Sequence, residues 1–146
     1  MVVVTYYNVE FAHMAGEHEI EEGLKSMDTS ATIEQLRKQV LRFRDDRNWK
    51  QFHDPKNLSI GLSIEAGELL ELFLWKSEAE VAAFLSSAAG KRRLEEELSD
   101  VFIFVLYLSE ACGIDLSAAL ENKISLNAKK YPPGKSTGSS KKYDEL

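Results

Sequence analysis

At 146 residues the chain has the length of one domain, large enough to bury a core without disulfides or a structural metal. Its 44% hydrophobic and 29% charged content is that of an ordinary globule rather than a disordered or fibrous chain. A net charge of −6 argues against a nucleic-acid polymer as partner, while leaving room for a nucleotide whose phosphates meet metal and a few local cations. The single cysteine, Cys112, permits no internal disulfide and suggests a reducing compartment; its apolar neighbours suggest a buried, inert thiol. The longest uninterrupted apolar run, residues 101–108, is far short of a membrane span, and the N-terminus does not read as a signal peptide. The expectation is a cytoplasmic protein with no membrane partner.

In chain order, residues 1–28 form an arm of unknown role, with a β-branched and aromatic start and loosely placed His13 and His18. Thr32-Ile-Glu-Gln35 fits a capping box, and Ile33, Leu36, Val40 and Phe43 continue at helical spacing, predicting a helix to about residue 52. His53-Asp54-Pro55 ends it, because the residue before proline is pushed out of helical geometry. A second helix is predicted over 57–75 and a small Ala/Ser-rich one within 77–89, closed by Gly90. A third long helix follows over 91–111, and Cys112-Gly113 stops it. Asp115 is the N-cap of a fourth, which ends before Pro132-Pro133; residues 133–146 read as a flexible tail. No strand alternation competes, so the fold class is all-α: a four-helix bundle over residues 29–132.

The chemistry lies on the second and third helices. On a helical wheel Leu58, Leu62, Glu65, Glu68, Leu69 and Leu72 fall within one arc of about 120°. Two carboxylates therefore stand inside an apolar stripe, where an unpaired charge is costly and a cation is needed. Glu97 and Asp100 repeat the spacing on the third helix, with Asp100 on the arc of Phe104 and Tyr107. Acids near a helix start also complement the helix dipole, so Glu97 alone would be unremarkable. Two inward-facing pairs offer only oxygen ligands, which suits Mg²⁺, with Mn²⁺ possible, rather than zinc. Glu96 and Glu71 are outer candidates for orienting water. A di-iron bundle would need Glu-x-x-His motifs, and His13, His18 and His53 do not supply them.

On the fourth helix Lys123, Asn127 and Lys130 share a face, which reads as a phosphate clamp opposite a metal site and otherwise as a solvated basic stripe. Trp49 and Trp75 near helix ends can stack on a planar base, or simply pack.

Trp49-Lys-Gln-Phe-His53, Glu65-Ala-Gly-Glu68, Phe73-Leu-Trp75, Glu96-Glu-Leu-Ser-Asp100 and Lys123-Ile-Ser-Leu-Asn127-Ala-Lys-Lys-Tyr-Pro132, in that order, resemble the all-α MazG-like nucleotide pyrophosphohydrolases, and among them the dCTP pyrophosphatase branch. The resemblance covers about residues 32–132. It implies Mg²⁺-dependent hydrolysis of a (deoxy)nucleoside triphosphate to the monophosphate and pyrophosphate. Glu65, Glu68, Glu97 and Asp100 would hold the metal, and Glu68 or Glu96 would orient the water or take its proton. Trp49, His53, Trp75 and Phe104 would stand on the substrate side, with Lys123, Asn127 and Lys130 toward the phosphates. It also implies intertwined dimers, often paired into tetramers. Two departures bear on base preference: Phe104 stands where that branch carries a tyrosine, and Val40 where it carries a histidine. Another reaction on the same scaffold, on phosphoribosyl-ATP or a nucleoside diphosphate, and a non-catalytic helical oligomerisation module are the alternatives.

Overall fold

The computed structural model describes residues 30–143. The arm at 1–28, with His13 and His18, lies outside the described residues. Contacts divide the chain into two units, Met1–Leu36 and Arg37–Leu146, and the second carries everything that follows on packing and chemistry. Every regular element among the described residues is helical.

Helix α1, Ile33–Asp45, opens on the expected capping box: the Gln35 amide donates to Thr32 Oγ1 at 3.2 Å and the Thr32 amide to Gln35 Oε1 at 2.7 Å. It is shorter than its sequence predicts. Asn48 takes the left-handed conformation (φ 54°), which asparagine tolerates better than most residues, and this ends the helix. Trp49–Phe52 continues as a single 3₁₀ turn rather than as part of α1.

Helix α2, Pro55–Glu71, starts two residues before the expected position because proline is accommodated in the first turn. Asp54 caps it, accepting from the Asn57 amide at 3.0 Å. It stops at Glu71 instead of 75, and Trp75 sits at φ 60° in the turn beyond.

Helix α3, Glu78–Ser86, has a complete Ser77/Glu80 capping box. Gly90 does not close it. Ser87 ends α3 and caps α4, Ala88–Cys112, accepting from the Gly90 amide at 2.9 Å. Gly90 is buried in the first turn of α4, where any Cβ would overlap the Phe84 carbonyl. Helix α4 ends at Gly113 (φ 65°), and Cys112 is exposed rather than buried, as are Glu110, Ala111 and Gly113 around it at the helix end. Helix α5, Leu116–Lys130, is capped by Asp115 as expected. A short turn, α6, Pro133–Ser136, begins the tail.

The main packing is α2 against α4, with α3 laid on α4. Leu58 from α2, Leu72 at its C-cap, and Leu106 and Tyr107 from α4 form the buried core. Each such side chain contributes about 1.5–3 kcal/mol by leaving water. The seam is tightest where Gly61 meets the ring of Phe104: a Cβ at 61 would fall on ring carbons, so only glycine admits the phenyl group. Helix α5 is exposed along its length apart from Leu116. Among the described residues no single helix is long and apolar enough to cross a membrane.

Candidate active site

Glu65 points into the α2–α4 seam and is only 5% exposed. Three residues on, Glu68 shares its face of α2, and Glu97 meets both from α4; the two are half-buried. One carboxylate oxygen from each of the three lies within 4.8 Å of the others. An octahedral magnesium with bonds of about 2.1 Å spans roughly 4 Å between opposed oxygens, so small side-chain rotations would close this trio on one ion. Asp100 stands one turn further along α4, half-buried and close enough for its charge to act on Glu65. Of the four expected ligands, the fold gathers three into a cluster and sets the fourth beside them.

The electrostatics are those of like charges pressed together. Burial, then the charges of Asp100, Glu68 and Glu97, push the Glu65 carboxyl up from 4.5 to about 7. Burial and Glu68 raise Glu97 and Asp100 as well, and Arg93 offsets this only for Glu97. Among the described residues no ion pair relieves the cluster. Glu65 Oε2 is buried and has no hydrogen-bond partner there. A buried carboxylate oxygen left without a donor is expensive. An all-oxygen set with an open, buried acceptor is the donor chemistry of a hard divalent cation, so these residues fit one.

Glu96 is exposed at the rim, adding to the field on Glu97 and Asp100, and Glu71 is exposed at the end of α2. Phe104 lies one turn from Asp100, on Gly61. His53 packs edge-on against Tyr107 with ring centroids 4.6 Å apart. Burial and the nearby Arg44 lower the basicity of its imidazole, which favours the neutral ring. Trp49 is half-buried against Phe43, at 5.9 Å, with the Arg47 guanidinium over both rings. Trp75 is 92% exposed and does not join Trp49 within the chain. Lys123, Asn127 and Lys130 are exposed on α5, and no ion pair among the described residues links these lysines to the acidic cluster. Lys130 Nζ lies 5.0 Å from the Tyr143 ring, which also meets Tyr131 edge-on.

Two residues passed over in the sequence matter here. Gly61 lies one turn before Glu65 and sets the closeness of the seam. Arg44 is 5% exposed and pairs with Asp45 through Nη2 at 2.6 Å and Nε at 2.7 Å. Its place on the wheel beside Ile33 and Val40, within the apolar stripe of α1, is the signal that could have found it.

Known proteins resemble this chain in sequence and fold. Residues 60–146 match the model of the MazG-like family. The dCTP pyrophosphatase 1 of Homo sapiens is 39% identical over 131 residues, covering 90% of this chain and 77% of that protein. The dCTP pyrophosphatase 1 of Mus musculus is 41% identical over 115 residues, covering 79% and 68%. The crystal structure of a pyrophosphatase from Archaeoglobus fulgidus DSM 4304 superposes with a TM-score of 0.60 at 35% identity, over 81% of this chain and 96% of that one. The chain is thus an enzyme of the MazG-like family, in its dCTP pyrophosphatase branch.

Proposed function

We propose that this chain hydrolyses deoxynucleoside triphosphates to the monophosphate and pyrophosphate, favouring dCTP or modified pyrimidine nucleotides and removing them from the cytoplasmic pool. The observation that carries this reading is the carboxylate trio of buried Glu65 with half-buried Glu68 and Glu97, one Glu65 oxygen having no donor among the described residues. The relatives named dCTP pyrophosphatase support the choice of substrate class.

In this reading Glu65, Glu68, Glu97 and Asp100 hold Mg²⁺, or Mn²⁺ in its place. The bound ion supplies positive charge against the triphosphate and acidifies water at neutral pH. The remaining work falls to the side chains. Glu68 or the exposed Glu96 orients a water in line with the phosphorus and takes its proton. The phosphoanhydride bond breaks, the water oxygen stays on phosphorus, and pyrophosphate leaves toward Lys123, Asn127 and Lys130, whose donors stabilise its charge. Trp49 and Trp75 stack on the base, with His53 and Phe104 beside them.

A homo-oligomer, dimer or tetramer, is part of this proposal. Ile60 and Ile64 on α2, Leu98 and Phe102 on α4, and Leu120 and Ile124 on α5 are each one turn apart and all exposed. Paired apolar positions of this kind on successive helices form faces that a second copy would cover. Such a copy would also bring cationic and tryptophan side chains to carboxylates that form no ion pair among the described residues. The catalytic domain in this reading is residues 29–132, with 1–28 and 133–146 accessory to it.

The test is pyrophosphate release from the four dNTPs, the four NTPs and a 5-modified dCTP, with Mg²⁺ and with EDTA. Metal-dependent release strongest with cytosine deoxynucleotides is expected. Release from phosphoribosyl-ATP or a nucleoside diphosphate instead would move the substrate assignment. No turnover and no metal binding would leave a non-catalytic helical module.

A further inference from the structure

One buried side chain that this mechanism does not use connects three separate parts of the unit. Tyr107 on α4 is 1% exposed, and its hydroxyl donates to the Val40 carbonyl of α1 at 3.1 Å. A leucine or phenylalanine would fill such a core position without the desolvation of a hydroxyl, which costs about 1–3 kcal/mol when left unpaired. Here the hydroxyl reaches a helix remote in sequence. The same ring meets His53 edge-on at 4.6 Å and Phe104 at 6.2 Å, and the Arg44 guanidinium lies 6.0 Å from its centre.

The contacts of Tyr107 lead in two directions. Toward the acidic cluster, Phe104 rests on Gly61; Phe104 is one turn from Asp100 on α4, and Gly61 one turn from Glu65 on α2. Toward the aromatic end, His53 directly follows the Trp49–Phe52 turn. His53 Nδ1 is buried and lacks a hydrogen-bond partner among the described residues, so no directional bond from that atom orients the ring. The Tyr107 ring, 4.6 Å away, is the aromatic neighbour on which it packs.

We propose that Tyr107 is a positioning residue that holds His53 and the Trp49–Phe52 turn at a set distance from the acidic cluster, and so governs how well the base end of a nucleotide is held. This rests on the reading of Trp49 and His53 as the base side of the site. It concerns binding of the base, not the bond-breaking step. Removing the ring therefore weakens substrate binding and leaves the metal site and the chemistry in place.

The experiment compares the full-length wild type with Tyr107→Leu and Tyr107→Phe, using the best wild-type substrate and a magnesium titration. Loss of the ring in Tyr107→Leu is expected to raise KM about tenfold with kcat within about twofold, the pattern of lost uniform binding. Tyr107→Phe keeps the ring packing and loses only the hydroxyl bond, so its KM rises about threefold, near 0.6 kcal/mol. The half-saturating magnesium concentration stays at the wild-type value in both. An unchanged KM in Tyr107→Leu overturns the proposal, as does a fall in kcat together with a shifted magnesium requirement, which would mark general damage to α4. Should Tyr107→Leu not fold by circular dichroism, the threefold KM rise in Tyr107→Phe decides, and its absence overturns the proposal.

If the wild type hydrolyses no nucleotide, the functional reading fails, and positioning is then read from Trp49 fluorescence in a Trp75→Phe background. A red shift and stronger acrylamide quenching on replacing Tyr107 support it; unaltered Trp49 emission overturns it.

Discussion

The α2–α4 seam and helix α5 are opposite solutions within one chain. The seam buries Glu65 among leucines, presses like charges together and closes on a glycine that admits an aromatic ring. Beyond Leu116, helix α5 carries its cations and its apolar residues alike into solvent, with Lys123, Asn127, Lys130, Leu120 and Ile124 all exposed. The seam gathers, from one chain alone, carboxylates that could hold a cation. Helix α5 has its own caps and periodicity but no packed face, so its role in any site depends on what covers it. Charge held in a packed core is preorganised, whereas charge on an unpacked helix is set in place by assembly.

The largest effect should come from breaking the seam's chemistry. Glu65→Ala is expected to lower kcat/KM by about 10³-fold or more, on the scale of removing one preorganised electrostatic group. Helical circular dichroism should be retained. Wild-type turnover in this variant would remove Glu65 from the metal site.

On the other side of the comparison, Lys130→Ala should cost about 10- to 100-fold in kcat/KM, the loss of one charge-assisted hydrogen bond to phosphate. Magnesium binding, measured by calorimetry, should be unaffected, since the proposed ligands lie on α2 and α4. The double change Leu120→Glu with Ile124→Glu places charges on the exposed face of α5. It should shift sedimentation toward the monomer and lower activity while sparing magnesium binding; an unchanged oligomer would place the contact elsewhere.

Smaller effects sharpen the picture of the seam. Gly61→Ala forces a methyl group against Phe104 and should destabilise the fold by about 1–3 kcal/mol, the usual cost of overpacking. A denaturant titration reads it directly. The raised Glu65 carboxyl predicts a pH dependence of definite sign. Between 4.5 and about 7 the folded protein holds a proton that the unfolded chain has lost, so Glu65 favours folding at the acid end and that contribution fades as pH rises. Glu97 and Asp100 act with the same sign, while His53, with its lowered basicity, acts oppositely below 6.5. Glu65→Gln isolates the Glu65 part. Relative to the metal-free wild type its Tm should gain as pH is raised through that window, and magnesium should raise the wild-type Tm above pH 7.

The comparison also separates what could be read from the sequence. The four long helices, the caps at Thr32 and Asp115 and the inward ExxE and ExxD pairs were legible because helical periodicity and capping are local physics. The ends of α1 and α2 were not. Asn48 and Trp75 adopt positive φ, and the apolar pattern passes through both positions without marking it. Gly90 reads as a stop because glycine commonly ends helices, yet it lies inside α4, where close approach to Phe84 excludes a side chain. Cys112 reads as buried from its neighbours, but residues 110–113 at the end of α4 are all exposed.

The sequence by itself determined that this chain is helical and that two acidic pairs face inward, because spacing along one helix fixes which residues share a face. Only the tertiary structure decided which residues meet across helices. It set Glu97 beside Glu65 and Glu68, laid Phe104 on Gly61, joined Tyr107 to Val40 and His53, and left Trp75 and the cations of α5 in solvent. Those meetings depend on the angle and depth at which two helices dock, set by side-chain volumes at the seam rather than by the period of either helix.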